Sequence, residues 1–268
     1  MFDAYVAAIE PANTGDCLFN KALRSVADGD TSRARTLYRE SADGGNAMAM
    51  VNLGALLISE DEHAEGPERL FREAAGLGDL SGMRNLAHMH ALGKGTPKNK
   101  ELAVKWYWEA ARRGHAKAQC NLAVMLRHGR GTMRDPMEAV KWYTASAESG
   151  YFRAQASLAA MYLAGEGVER DVGSAFYWYS KAADNGSSRG MYGLGLMLLD
   201  GIGADRDEDR AEALFRAASE KGCSKTTYAL GEMLELRGLT EEALRLYERG
   251  AEKKEARCAL NIVSHDSL

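Results

Sequence analysis

The dipeptide Trp-Tyr returns at a fixed stride along this chain. Trp106-Tyr107, Trp142-Tyr143 and Trp178-Tyr179 stand 36 residues apart, and Leu214-Phe215 keeps the interval one step later. A strict period of this length marks a stacked helical-repeat array, because a single pair of helices cannot bury its apolar face alone and must lean on the next pair. Stacked units share one extended core, so the repeat overrides the one or two domains that 268 residues would otherwise suggest. An array also presents a long continuous surface, which suits binding better than catalysis.

Other columns keep the same phase. Gly78, Gly114, Gly150, Gly186 and Gly222 each follow a helical run such as Glu109-Ala110-Ala111-Arg112-Arg113, where glycine suits the left-handed turn that ends a helix. Just ahead lie Ala74-Ala75, Ala110-Ala111, Ala182-Ala183 and Ala217-Ala218, small enough to let neighbouring helices approach. The first helix of each repeat carries Leu86, Leu122, Leu158, Leu194 and Leu230. Three residues on come Met89, Met125, Met161, Met197 and Met233, on the same helical face. Such a Met column reads as core filling between repeats rather than as a thioether metal path or an adaptable groove.

A Gly-x-Gly link follows at Gly93-Lys94-Gly95, Gly129-Arg130-Gly131, Gly165-Glu166-Gly167 and Gly201-Ile202-Gly203. A phosphate loop also uses glycines, but it needs a strand before it, and here a helical pattern precedes. The link therefore reads as a helix-to-helix loop. Asn99, Asp135, Asp171 and Asp207 come next and read as N-caps, whose side-chain oxygens accept from orphan backbone N–H groups; Pro136 suits the first helical position. Ala103, Ala139, Ala175 and Ala211 stand four residues before Tyr107, Tyr143, Tyr179 and Phe215, on one face of the second helix.

The pattern predicts first helices near 15–28, 47–58, 80–92, 116–128, 152–164, 188–199 and 224–237. Second helices are expected near 31–43, 66–76, 99–113, 135–149, 171–185, 207–221 and 240–253. A capping helix is expected over 255–263, and a helix or extension over 1–10. Residues 1–45 read as an N-terminal extension with a degenerate capping repeat, 46–253 as an array of about six repeats, and 254–268 as a C-terminal cap and tail.

These columns resemble the Sel-one-like repeat (SLR), a relative of the tetratricopeptide repeat with a longer loop inside each unit. The resemblance rests on Ala118 to Leu122, the Gly-x-Gly link, the capping Asp, Lys141-Trp142-Tyr143 and the Ala-Ala-x-x-Gly close. It implies an all-α, right-handed α-solenoid of antiparallel helix-turn-helix repeats. Spacing departs from the pattern in two places. Leu230 to Tyr247 spans 17 residues where Leu122 to Tyr143 spans 21, so the last repeat resembles a true tetratricopeptide unit turning at Arg237-Gly238. Leu53 to Phe71 spans 18, so the second repeat is shortened too. Some secreted relatives carry disulfides in every repeat, and a hydrolase activity has been attributed to them. Cys17, Cys120, Cys223 and Cys258 do not recur with the period, so neither property carries over.

Composition narrows the function further. A net charge of −4 offers no general basic surface for phosphates, so nucleic acid is not a default partner. No apolar run reaches the roughly 18 to 20 residues of a membrane span. Met1-Phe2-Asp3-Ala4-Tyr5 shows no secretory leader, which points to the cytoplasm unless a leader has been removed. The four cysteines are far apart and read as thiols in a reducing compartment; no clustered zinc ligands, no metal site and no cofactor motif are present. Nor is there a nucleophile elbow or a paired-acid signature. His88 and His90 point away from each other on one helix and pair with no obvious carboxylate.

Function is sought where repeats differ. Five residues before the column Leu stand Ser81, Lys117, Arg153, Arg189 and Lys225. The four bases form a ladder able to grip carboxylates of a partner, or else a solvated helix start with incidental charge. Two before the Leu stand Arg84, Cys120, Ala156, Tyr192 and Tyr228, the tyrosines reading as aromatic anchors or as inter-helix packing. Just before it stand Asn52, Asn85, Asn121 and Ser157. In the related tetratricopeptide family an Asn here can bond a peptide backbone; the other reading is a local side-chain-to-backbone bond. Trp108 occupies a polar position of the other repeats, which makes it a candidate contact on the outer face. Trp106, Trp142 and Trp178 are expected in the core, at about 3–5 kcal/mol each on truncation.

The expected function is a non-enzymatic scaffold or adaptor that binds a partner protein, through an acidic or extended segment, on the concave face. The resemblance adds an alternative, an immunity-type protein that neutralises a bacterial toxin. The rival class is a hydrolase. The oligomeric state is not legible.

Overall fold

The computed structural model describes residues 17–61, 64 and 66–248. The helices expected over 1–10 and 255–263 lie outside the described residues. No strand occurs among the described ones. Helices run in pairs: α1 (Cys17–Ala27) and α2 (Thr31–Asp43), α3 (Ala47–Glu60) and α4 (Pro67–Gly76), α5 (Leu80–Leu92) and α6 (Lys100–Arg112), α7 (Ala116–His128) and α8 (Pro136–Glu148). There follow α9 (Phe152–Ala164) and α10 (Val172–Asp184), α11 (Ser188–Asp200) and α12 (Glu208–Glu220), α13 (Ser224–Leu236), and a helical stretch over 240–248. The expected starts at 99, 135, 171 and 207 fall one residue early, because those residues are caps and stand outside the helix they begin.

The caps act as their side chains dictate. The Leu102 N–H donates to Asn99 Oδ1 at 2.8 Å, the Glu138 N–H to Asp135 Oδ1 at 2.9 Å and the Arg210 N–H to Asp207 Oδ1 at 2.9 Å. Asp171 accepts from the N–H groups of Gly173 and Ser174 and from the Ser174 hydroxyl. At the other end of the second helices, Gly78, Gly114, Gly150, Gly186 and Gly222 all have φ between 78° and 89°, the left-handed region that glycine alone enters without strain.

Two compact units divide the chain at residues 142 and 143, inside α8. In the first unit each helix packs on its neighbours in sequence, α1 through α7, and α3 also touches α5. Its core gathers Phe19, Tyr38, Leu53, Phe71, Leu86 and Met89. In the second unit α9 through α13 pack likewise, and α11 touches both α9 and α13. One cluster there holds Tyr179, Leu194, Met197 and Leu198, another Phe215, Leu230, Met233 and Leu246. The Leu and Met columns are buried throughout, from Leu86 and Met89 to Leu230 and Met233.

The aromatic pair requires a correction. Tyr107, Tyr143, Tyr179 and Phe215 are buried, whereas Trp106, Trp142 and Trp178 are only half-buried. Adjacent helical residues sit 100° apart, so both members of a dipeptide cannot face one core. The second member takes the core and the Trp covers its edge.

Close helix approach is where the small residues meet. A Cβ on Gly82 would stand 2.8 Å from the Ala74 Cβ, and one on Gly190 would stand 2.5 Å from the Ala182 Cβ. Buried amides tie the helix ends: Gln119 Nε2 donates to the Ala111 carbonyl at 3.2 Å, and in the second unit Gln155 Nε2 donates to the Ala147 carbonyl at 3.1 Å. Each adds a second donor to a helix-end carbonyl that also accepts a backbone N–H, from Gly114 and Gly150 respectively.

Candidate functional site

Each base of the ladder is the second residue of a first helix: Lys117 in α7, Arg153 in α9, Arg189 in α11 and Lys225 in α13. All four are exposed. A cation there meets the positive end of the helix dipole, which disfavours it by about 0.3–1 kcal/mol. These bases therefore do not serve helix stability.

In the second unit two of them share a cavity. Arg189 and Lys225 line a groove of about 690 Å³ whose floor is Leu163, Leu196, Met197 and Ile202 and whose walls include Tyr179 and Tyr192. That volume lies within the roughly 300–1,000 Å³ typical of ligand sites. Gly193 lines it too. Where earlier repeats place Asn52, Asn85, Asn121 and Ser157, Gly193 has no side chain, and the Tyr179 ring occupies the place its Cβ would take. Among the described residues neither Arg189 nor Lys225 takes part in an ion pair. Asp200, the last residue of α11, lines the far end.

The remaining candidates are placed as follows. Tyr192 is half-buried, lines this groove and stands 6.1 Å from the Phe215 ring. Tyr228 is 47% exposed and stacks on Tyr247 at 5.7 Å. Trp108 is exposed on one side and meets Trp142 edge-on at 5.5 Å in the first unit. Asn121 is half-buried, and its Nδ2 has no hydrogen-bond partner among the described residues. Arg84 and Asn85 are buried. Asn85 has no accessible surface, Arg84 is 5% exposed, and Arg84 Nη1 donates to Asn85 Oδ1 at 2.9 Å. Both lie inside the first unit, where the Arg84 guanidinium and the Asn85 amide share this bond.

Some features had no clear sequence signal. His90 is buried in α5 with Nε2 3.8 Å from Glu68 Oε1 of α4, a carboxylate 22 positions away. At the C-terminal end of the second unit, Arg237 reaches Glu208, Asp209 and Glu212, while Arg216 bridges Glu212 and Glu242 at 2.8 Å each. Hydrogen bonding to Arg237, reinforced by Arg206, holds the Glu208 carboxyl below its usual range. Bonds to Glu242 and then Glu212 raise the Arg216 guanidinium. This network braces α12 to the tight turn at 237–238, which has replaced the Gly-x-Gly loop. The groove residues Leu196, Asp200 and Ile202 were also missed. The available signal was the break in the Asn column at Gly193.

Among the described residues no three His, Cys, Asp or Glu side chains converge as metal ligands. No helix among them is long and apolar enough to cross a membrane.

A family model, the Sel1 repeat, matches residues 26–46, 80–115, 116–151, 152–187, 188–223 and 226–254. Among solved structures, a Sel1 repeat protein from Oxalobacter formigenes superposes with TM-score 0.78 at 26% identity, over 87% of this chain and 96% of that one. A protective antigen with an SLR fold, from uropathogenic Escherichia coli, is 30% identical with TM-score 0.54; the match covers 82% of this chain and 56% of the antigen. An immunity protein from Pseudomonas aeruginosa aligns at 25% identity over 65% of this chain and 66% of that one, with TM-score 0.48, too low to carry an inference about a partner. A comparison with curated proteins finds no match. The columns, the helix pairs and the matched repeats have one conclusion: the chain belongs to the Sel1 repeat family and has its all-α solenoid fold.

Proposed function

We propose that this chain is a non-enzymatic adaptor that captures an acidic segment of a partner protein, and that the groove of the second unit is a docking site for it. Sel1 repeat proteins generally mediate protein–protein interaction, which sets the class. The observation that carries the finer reading is the pairing of Arg189 with Lys225 on the rim of an apolar cavity. Two cations over an apolar floor attract carboxylates, and the apolar surface adds burial that charge alone does not supply. Lys117 and Arg153, exposed at the same position of their helices, extend the same chemistry to other repeats.

Affinity capture from the native cell tests this, with the Arg189→Glu/Lys225→Glu double variant as control. The partner should be recovered with the wild-type chain and lost with the variant, while far-UV circular dichroism stays unchanged. Recovery that survives the reversal overturns the reading. If the captured protein is a toxin, growth rescue on co-expression identifies a neutralising role.

A further inference from the structure

The groove is polarised along its length. Arg189 and Lys225 stand at the helix starts of α11 and α13, and Asp200 stands at the end of α11. Eleven residues of helix separate Arg189 from Asp200, a rise of roughly 16 Å at about 1.5 Å per residue. The apolar floor lies among these charged ends, its Leu196 exposed and its Met197 buried. An extended chain advances about 3.3 Å per residue, so about five residues cover that distance.

Charge and shape together select the occupant. Resting on the reading of this groove as a docking site, we infer that it recognises a short extended segment of a partner protein with three parts. An acidic residue sits at the Arg189/Lys225 end, a large apolar side chain such as leucine seats on the floor beside Gly193, and a basic residue meets Asp200. The apolar anchor supplies most of the discrimination, because a side chain that fills the floor removes its own surface and that of Leu196 and Ile202 from water. The charged ends set its direction. The Tyr179 ring takes the place of the side chain that Gly193 lacks and forms one side of the seat. In the first unit the same column position holds Asn85, fully buried against Arg84.

The test uses the full chain and a labelled peptide, Glu-Glu-Leu-Ala-Lys, with its reversed sequence and versions carrying Ala for Leu or Gln for Glu. Binding is read by fluorescence anisotropy, and occupancy by protection of Cys223, a groove residue, from iodoacetamide, with exposed Cys17 as internal reference. One orientation should bind more strongly and protect Cys223. Ala for Leu should weaken it at least tenfold, in line with the worth of a few methylenes in an apolar pocket. Leu196→Gln, a change at an exposed position, should erase that difference while leaving helicity intact. Equal binding of the Leu and Ala peptides, both lost in Arg189→Glu/Lys225→Glu, overturns the anchor and leaves the acidic-segment reading standing. No binding by any peptide, or binding without Cys223 protection, also overturns the anchor, and the capture experiment then judges the docking reading separately.

Discussion

The α5–α6 pair of the first unit and the α11–α12 pair of the second are built on the same columns and end with different surfaces. Both bury the column Leu and Met, at Leu86 and Met89 and at Leu194 and Met197, and both bury the aromatic of the second helix, Tyr107 and Phe215. They part at the two positions before the column Leu. Arg84 and Asn85 bond each other and vanish inside. Tyr192 and Gly193 instead leave a groove with two bases on its rim. A repeat thus keeps its fold with one set of positions and changes its surface with another.

The shared part of the comparison should give the largest effects. Tyr107→Ala and Phe215→Ala should each cost about 3–5 kcal/mol in urea denaturation. The half-buried Trp178→Ala should cost less, about 1–2 kcal/mol. A Trp178 loss equal to that at Phe215 would put the Trp back in the core. Leu86→Ala and Leu194→Ala should each cost about 2–5 kcal/mol, in similar amounts, and a clear inequality would break the claim that the two pairs share one core design.

The divergent part should dissociate. Arg84→Ala should lower stability by about 1–3 kcal/mol, because the buried Asn85 loses its donor, and should leave partner affinity unchanged. Arg189→Glu with Lys225→Glu should do the reverse: affinity falls at least tenfold and the denaturation midpoint holds. Partner loss in Arg84→Ala would show that the first pair also faces the partner. A smaller effect is due at the cap, where Asn99→Ala should cost about 1 kcal/mol.

Acid gives the smallest effect and probes the brace at the end of the second unit. Glu208 and Asp171 are held below their usual range, Glu208 by Arg237 and Arg206, Asp171 by Ser174 and Gly173. A depressed carboxyl adds stability that is complete above its unfolded value and is lost as pH falls through the folded one. The melting temperature should therefore decline below roughly pH 4. Glu208→Gln should flatten part of that decline, and an unchanged acid profile would remove the brace from the account.

Much of the fold was legible because a repeat states its pattern several times. Leu122, Met125, Asp135, Tyr143 and Gly150 mean little singly, but their counterparts 36 residues on return the same residue, and the helices begin and end within one or two residues of where those columns place them. The site was legible only in part. Arg189, Lys225 and Tyr192 were singled out, and they do line one groove. Arg84 and Asn85 were singled out on the same grounds and are buried. Position in the repeat gives the direction of a side chain, not whether a neighbour already covers it.

Local patterning by itself determined the helices, their caps, the left-handed glycines and the buried Leu and Met columns, since each depends on residues within a turn or on a periodic face. Tertiary packing alone decided which member of each Trp-Tyr pair took the core, that Glu68 would stand by His90, and that Tyr179 would fill the place of a side chain at Gly193 in a groove that Arg189 and Lys225 also line. Those outcomes depend on distances between residues far apart in the chain, and no single stretch of sequence contains them.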